Sequence, residues 1–134
     1  KMASGFAKTL REMFPWAYED YKDFCVLRDP EWLLGTVRTS TYSNSPLIIH
    51  CFTQLYYGKD GGRYVSYDAI DDCMNRIRID LDRGNLLRDY HQKAPISTIA
   101  MPKIGSGLGG GDWGIIETII NSRLNDYHVV VYEL

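Results

Sequence analysis

Ile99-Ala100-Met101-Pro102-Lys103-Ile104-Gly105-Ser106-Gly107-Leu108-Gly109-Gly110-Gly111-Asp112-Trp113 is the stretch on which the reading of the fold turns. Ile96 to Ile104 forms an apolar run of the kind that lies buried in a sheet. It passes straight into seven residues, Gly105 to Gly111, of which five are glycine. Asp112 then stands where it can cap a helix whose apolar stripe is Trp113, Ile116, Ile119, Ile120 and Leu124. Strand, glycine loop and helix together bring backbone N–H groups and the positive end of a helix dipole to one place. In open α/β sheets ligands bind there, outside the carboxyl ends of the strands. Backbone must approach something closely in such a loop, or adopt positive φ at several positions. The plain alternative is a flexible connection that carries the entropy of its glycines for no return. Phosphate is the ligand chemistry that suits the loop. It is not a Walker loop, because no Lys-Ser or Lys-Thr follows the glycines. Nor is it a dinucleotide fingerprint, since too little chain follows Asp112 for a full nucleotide-binding half.

Working back along the chain, Ser66 is a candidate N-cap and Asp68 lies in the favourable first turn. Ile70, Cys73, Met74, Ile77 and Leu81 then mark a long amphipathic helix, with Gly84 at its end. Leu47 to Gln54 reads as a strand covered on both faces, and Thr36 to Thr41 as another, joined by a turn at Tyr42 to Pro46. Phe6, Leu10, Met13 and Phe14 make one face of a short helix, which Pro15 stops while opening a second. Tyr18, Tyr21 and Phe24 would line that second helix. Asp29-Pro30 begins a turn and Gly35 closes a short helical piece. At the far end, His128 to Leu134 is a last strand. Helices between strands imply parallel crossovers and a sheet with helices on both faces.

The chain has 134 residues, which suits one domain with a real core. Its net charge is −2, with no basic run, which speaks against a long nucleic acid as partner. A small phosphorylated ligand needs no such run. Three widely spaced cysteines, Cys25, Cys51 and Cys73, without a Cys-x-x-Cys pair, exclude a disulfide framework and a zinc site and read as reduced thiols in a cytoplasmic protein. No apolar run approaches a membrane span, and no visible residue set requires a metal or other cofactor. His50 reads as a core histidine sharing a face with Phe52 and Gln54, and His91 and His128 as surface residues.

The quoted stretch resembles the "MPxIGxGLGGxxW" loop of macro domains, in the branch of the terminal ADP-ribose glycohydrolases, the yeast-type ADP-ribose 1″-phosphate phosphatase and related phage and bacterial proteins. Three further segments resemble that branch: Lys1-Met2-Ala3-Ser4-Gly5-Phe6-Ala7 its "xMGxGxA" helix start, Phe52-Thr53-Gln54 with Tyr57-Gly58 its "TQxxYG" stretch, and Val131-Tyr132-Glu133-Leu134 its C-terminal strand. The resemblance spans nearly the whole chain. It implies a three-layer α/β/α macro domain with a mixed central sheet over residues 1–134. It also implies an ADP-ribose-type ligand held by Ile104, Gly105, Ser106, Gly107, Leu108, Gly109 and Gly110. Ser4, Gly5, Phe6 and Ala7 would close on the distal ribose, Gln54 would lie beside it, and Tyr132 and Leu134 would pack on the adenine.

Departures from the family's pattern shape the rest of the expectation. The family carries edge strands, an adenine-reading acid and a central strand ending in Asn ahead of this point, and residues 1–134 contain no counterpart. The expected domain is therefore N-terminally incomplete, its sheet finished by an N-terminal segment or by another chain. Gln54 stands where the resembled glycohydrolases carry a catalytic Lys, and Gly109 where they carry Asp. That removes lysine-dependent glycohydrolysis. Hydrolysis of ADP-ribose 1″-phosphate becomes the leading activity, with Asp112 able either to polarise a water or simply to cap its helix. The rivals are a non-catalytic ADP-ribose reader or nucleotide-signal sponge, and a glycohydrolase that works without the Lys.

Overall fold

The computed structural model describes residues 5–42, 46–55, 64–84, 98–107 and 109–132. Ser4, Leu108 and Leu134, three of the expected ligand-binding residues, lie outside these ranges.

Helix α1 is Gly5–Met13 and helix α2 is Pro15–Cys25, joined through Phe14 alone. Phe14 N–H donates to Leu10 O at 2.8 Å, and Pro15 opens α2 at its first position, where its missing N–H costs nothing. The two helices fold back on one another, with the Arg11 guanidinium over the Tyr18 ring at 3.9 Å and Ala17 fully buried. The apolar stripe expected on α1 is only half used: Leu10 is partly covered, whereas Phe6 and Met13 are exposed. Nothing among the described residues covers them.

Strand β1, Val37–Ser40, pairs antiparallel with strand β2, Ile48–Cys51, in the register Val37 to Cys51 through Ser40 to Ile48. Helix α2 lies on this pair. Trp16 at its start stacks on Tyr42 beyond the end of β1, and Tyr21 and Phe24 near its end meet Phe52 beyond the end of β2. Helix α2 therefore runs in the direction of β2 and finishes at the carboxyl end of that strand. The one-turn helix α3, Pro30–Leu33, is capped by the Asp29 carboxylate, which accepts from Glu31 N–H at 3.0 Å. Gly35 follows at φ +84°, where a β-carbon would stand 3.2 Å from Asp72 Oδ2. Its N–H donates to Phe52 O at 2.7 Å and ties the entry of β1 to the exit of β2.

Helix α4, Tyr67–Asp82, is capped by Ser66, whose hydroxyl accepts from Ala69 N–H at 3.1 Å. It buries Ile70, Cys73, Met74 and Ile77, four of the five residues of the stripe read from the sequence, with Leu81 partly buried beside them. Strand β3, Thr98–Pro102, leads through the glycine loop into helix α5, Trp113–Arg123, and then into strand β4, His128–Tyr132. Strands β3 and β4 pair in parallel, as a helical crossover requires. Helix α5 buries Ile116 and Ile120, with Leu124 just past its end, against α4, and each such side chain contributes about 1.5–3 kcal/mol. Arg123 grips Asp71 with two nitrogens at 2.8 and 3.0 Å, and Arg78 reaches Asp82 and Asp126, each at 2.7 Å. These bonds clip α4 to α5 and to the turn before β4.

The strands are mixed in direction, as expected of this fold, but form two two-stranded sheets, β1–β2 and β3–β4. Among the described residues no ladder joins β2 to β3. The reading of both as strands buried on two faces is corrected here. Only Ile48 in β2 and Met101 in β3 are buried, and Thr98 and Ala100 are exposed, because no neighbour among the described residues covers those faces. No described helix is long and apolar enough to cross a membrane.

Candidate functional site

The carboxyl ends of β2 and β3 meet at Gln54, Val65 and Gly109. Gln54 forms an isolated antiparallel bridge with Val65. The N–H groups of Tyr64 and Val65 both donate to Gly109 O, at 2.7 and 3.0 Å. A β-carbon built on Gly109 would lie 3.1 Å from Gln54 Oε1 and 2.8 Å from Gly105 O. Gln54 and Gly109 are therefore in contact, and glycine at 109 leaves the space that the Gln54 amide and the Gly105 carbonyl need.

The glycines of the loop have separate causes. Gly105 has φ +74°, and a β-carbon there would meet Val65 Cγ2 at 2.9 Å. At Gly111 a β-carbon would fall 2.7 Å from Val65 Cγ1 and 2.8 Å from both Gly105 O and Ile116 Cδ1. Gly110 adopts φ +72°. Four of the five glycines thus answer to conformation or to packing on Val65, Ile116 and Gln54. Gly107 does not: it is exposed, and a β-carbon there would find nothing within 4 Å.

Internal bonds use some of the loop's N–H groups and leave others. Ser106 N–H and its hydroxyl both donate to Lys103 O, Gly110 N–H to Gly107 O at 3.0 Å, and Gly111 N–H to Gly105 O at 2.8 Å. Asp112 N–H donates to the Tyr67 hydroxyl at 3.0 Å. Among the described residues no acceptor takes the N–H of Gly105, Gly107 or Gly109. The start of α5 offers less than its sequence suggests. Asp112 Oδ1 accepts from Ile115 N–H at 3.3 Å, and Ile116 N–H bonds Asp112 O in the helix. Asp112 is thus the N-cap of α5, the plainer of the two roles open to it.

The other expected residues that are described fall at the same end of the molecule. Tyr132, 57% exposed, closes β4 opposite Pro102, and Ile104 lies two residues beyond that strand pair. Gly5, Phe6 and Ala7 form the first turn of α1, which folds back along α2, whose own end reaches Phe52. Two contributors to the site carried no signal in the sequence. Val65 fills the space under Gly105 and Gly111, and Tyr67 holds Asp112. Both precede or open a helix whose cap, Ser66, was the only readable feature of the segment.

His50 lies inside β2, one residue before its carboxyl end, and serves a different cluster. Its Nε2 is 3.0 Å from Ser40 Oγ, and Ser40 donates its proton in a short bond to Asp20, which Arg38 grips through two nitrogens at 2.8 and 3.1 Å. With the Ser40 proton committed to the carboxylate, His50 Nε2 is the donor of their contact. Burial pushes the His50 pKa down, with Asp20 opposing and Arg38 assisting. The Arg38 bonds hold Asp20 below its usual range. Ser40 is 3% exposed, so this is a core docking cluster for α2, in keeping with the reading of His50 as a core histidine. Cys51 bonds the Cys73 thiol, which together with burial raises the Cys51 pKa well above the usual thiol value and makes it a poor nucleophile. No group of metal-binding side chains occurs among the described residues.

No family model matches the chain. Over 97% of its length it is 28% identical to a Saccharomyces cerevisiae protein named ADP-ribose 1″-phosphate phosphatase, of which it covers 81%. It is also 28% identical, over 98% of its length, to the uncharacterized 17.5 kDa protein of the tk-vs intergenic region of phage T4, of which it covers 78%. Among solved structures it is similar to a Bacteroides thetaiotaomicron protein of unknown function, with a TM-score of 0.77 and 25% identity, and to a macrodomain protein from Streptomyces coelicolor, with 0.67 and 24%. All of this chain and 80% of each of those chains are matched.

Proposed function

We propose that the chain is a macro domain, of the branch that also holds the yeast ADP-ribose 1″-phosphate phosphatase and a phage T4 relative, and that it binds ADP-ribose or a close derivative. One observation carries the reading. Three amides at the carboxyl ends of the strands, those of Gly105, Gly107 and Gly109, have no acceptor among the described residues, and the space beside Gly107 is open. Phosphate oxygens suit such a row of donors, and backbone supplies them without a lysine. The diphosphate lies along the loop in this reading. Gly5, Phe6 and Ala7 close on the distal ribose, and Tyr132 offers its exposed ring to the adenine.

The finer activity we propose is hydrolysis of ADP-ribose 1″-phosphate. Water attacks phosphorus, the bond from phosphorus to the ribose oxygen breaks, inorganic phosphate leaves and ADP-ribose keeps the hydroxyl. Asp112 is the acidic side chain nearest the loop in sequence. A second reading, a non-catalytic reader or sponge, is favoured by a specific observation: the Asp112 carboxylate accepts from Ile115 N–H, and the neutral Gln54 is packed against Gly109. The same proposal includes an N-terminal segment or another chain that completes the sheet. Calorimetric titration with ADP-ribose tests the binding, and release of inorganic phosphate from ADP-ribose 1″-phosphate tests the catalysis. Binding without release selects the reader. No heat of binding at millimolar ligand removes the proposal.

A further inference from the structure

Residues 64–67 form a strap across the glycine loop. Tyr64 and Val65 hold Gly109 O from one side, the Val65 side chain fills the space that Gly105 and Gly111 leave, and the Tyr67 hydroxyl accepts Asp112 N–H at 3.0 Å. Ser66 N–H donates to Thr53 O at 2.7 Å, which anchors the strap to the end of β2. Of these links only the Tyr67 bond is made by a side-chain polar atom, and it acts where the loop becomes helix. It joins two elements 45 residues apart through one exposed hydrogen bond. Such a bond adds little to global stability. It does fix the direction in which the last loop amides point.

We propose that Tyr67 is a positioning residue of the ligand site. Its hydroxyl keeps the loop's exit in the conformation that binds, so a ligand meets a formed row of amides and does not have to order it. The inference rests on the reading of the loop as a phosphate cradle. Ordering a loop on binding lowers affinity by the population of the competent state. Loss of the hydroxyl is therefore read in binding and in local opening, with little change in melting temperature.

Tyr67→Phe removes the acceptor and keeps the ring. Three quantities decide the matter: ADP-ribose affinity by calorimetry, melting temperature, and hydrogen exchange of the Gly111 and Asp112 amides without ligand. The expected result is affinity weaker by about three- to ten-fold, the size of one hydrogen bond, with a melting temperature within about 2 °C of the parent and faster exchange at both amides. An affinity within two-fold of the parent overturns the proposal. So does a loss of affinity matched by a large fall in melting temperature, which would make Tyr67 merely structural. If the parent protein does not bind ADP-ribose, the ligand reading fails on its own. Exchange then judges Tyr67, and unchanged protection at Asp112 overturns the positioning role.

Discussion

Valine at Gly107 and alanine at Gly105 are expected to fail in different ways. Gly107 has open space and ordinary φ, so Gly107→Val should fold with a near-parental melting temperature and lose ADP-ribose affinity by at least ten-fold in titration. Gly105→Ala forces a methyl group to within 2.9 Å of Val65 at positive φ, and should lose about 2–4 kcal/mol in chemical denaturation. Gly110, at φ +72°, is a poorer probe than the sequence suggests, because any side chain there brings backbone strain. Gln54→Ala should weaken binding only modestly, in keeping with one lost hydrogen bond of about 0.5–1.5 kcal/mol, and borohydride should trap no adduct with opened ribose, since an amide forms no Schiff base. A thousand-fold loss would contradict that role. The count of glycines was legible in the sequence, but not their division of labour. Which glycine serves packing depends on Val65, which arrives from a distant part of the chain, and on the way Ile116 of the following helix turns back onto the loop.

Among the elements, α4 and α5 were legible because each carries an uninterrupted stripe at helical period and an acceptor at its cap, Ser66 and Asp112. Strands β2 and β3 were legible in place but not in environment. An apolar run does not say which face has a neighbour, and here several faces have none among the described residues. Of the docking of α2 only the aromatic lining by Tyr21 and Phe24 was legible, since Asp20, Arg38, Ser40 and His50 come together only through the β1–β2 register. That cluster sets a pH dependence. A buried neutral histidine with a lowered pKa means that the unfolded chain takes up a proton first as pH falls below about 6.5. Stability should decline from there until the folded protein titrates too. Asp20, whose pKa is also lowered, adds a loss at lower pH, below about 3.8, as its carboxylate is protonated away from Arg38. Urea melts at several pH values check this, and His50→Gln should flatten the limb that begins below about pH 6.5. An unchanged limb would move the cause elsewhere.

Across the whole molecule, the β1–β2 pair and the β3–β4 pair are separate sheets that share one core, since Val37, Ile49 and Cys51 pack on the same α4 and α5 side chains as Ile99 and Val131. Two-stranded sheets are marginal alone, and unpaired edges invite a further strand. The outward amides of Ile48–Cys51 and of residues 98–101 should therefore exchange quickly in the 134-residue chain and become protected when a strand is supplied by additional sequence or by a second chain. Slow exchange there in a monomer of this chain alone would refute the idea. The general architecture could be read from one loop and its flanks, whereas the gap between the sheets could be read only from what the resemblance led one to look for. The joint at Gln54, Val65 and Gly109 has a thermodynamic consequence. A ligand along the loop touches a place where the ends of both sheets meet, so neither sheet can come away there without releasing it. Occupancy would add to the coupling that the shared core already gives the two sheets, and the signal sensed by this site would be written into the way the protein unfolds.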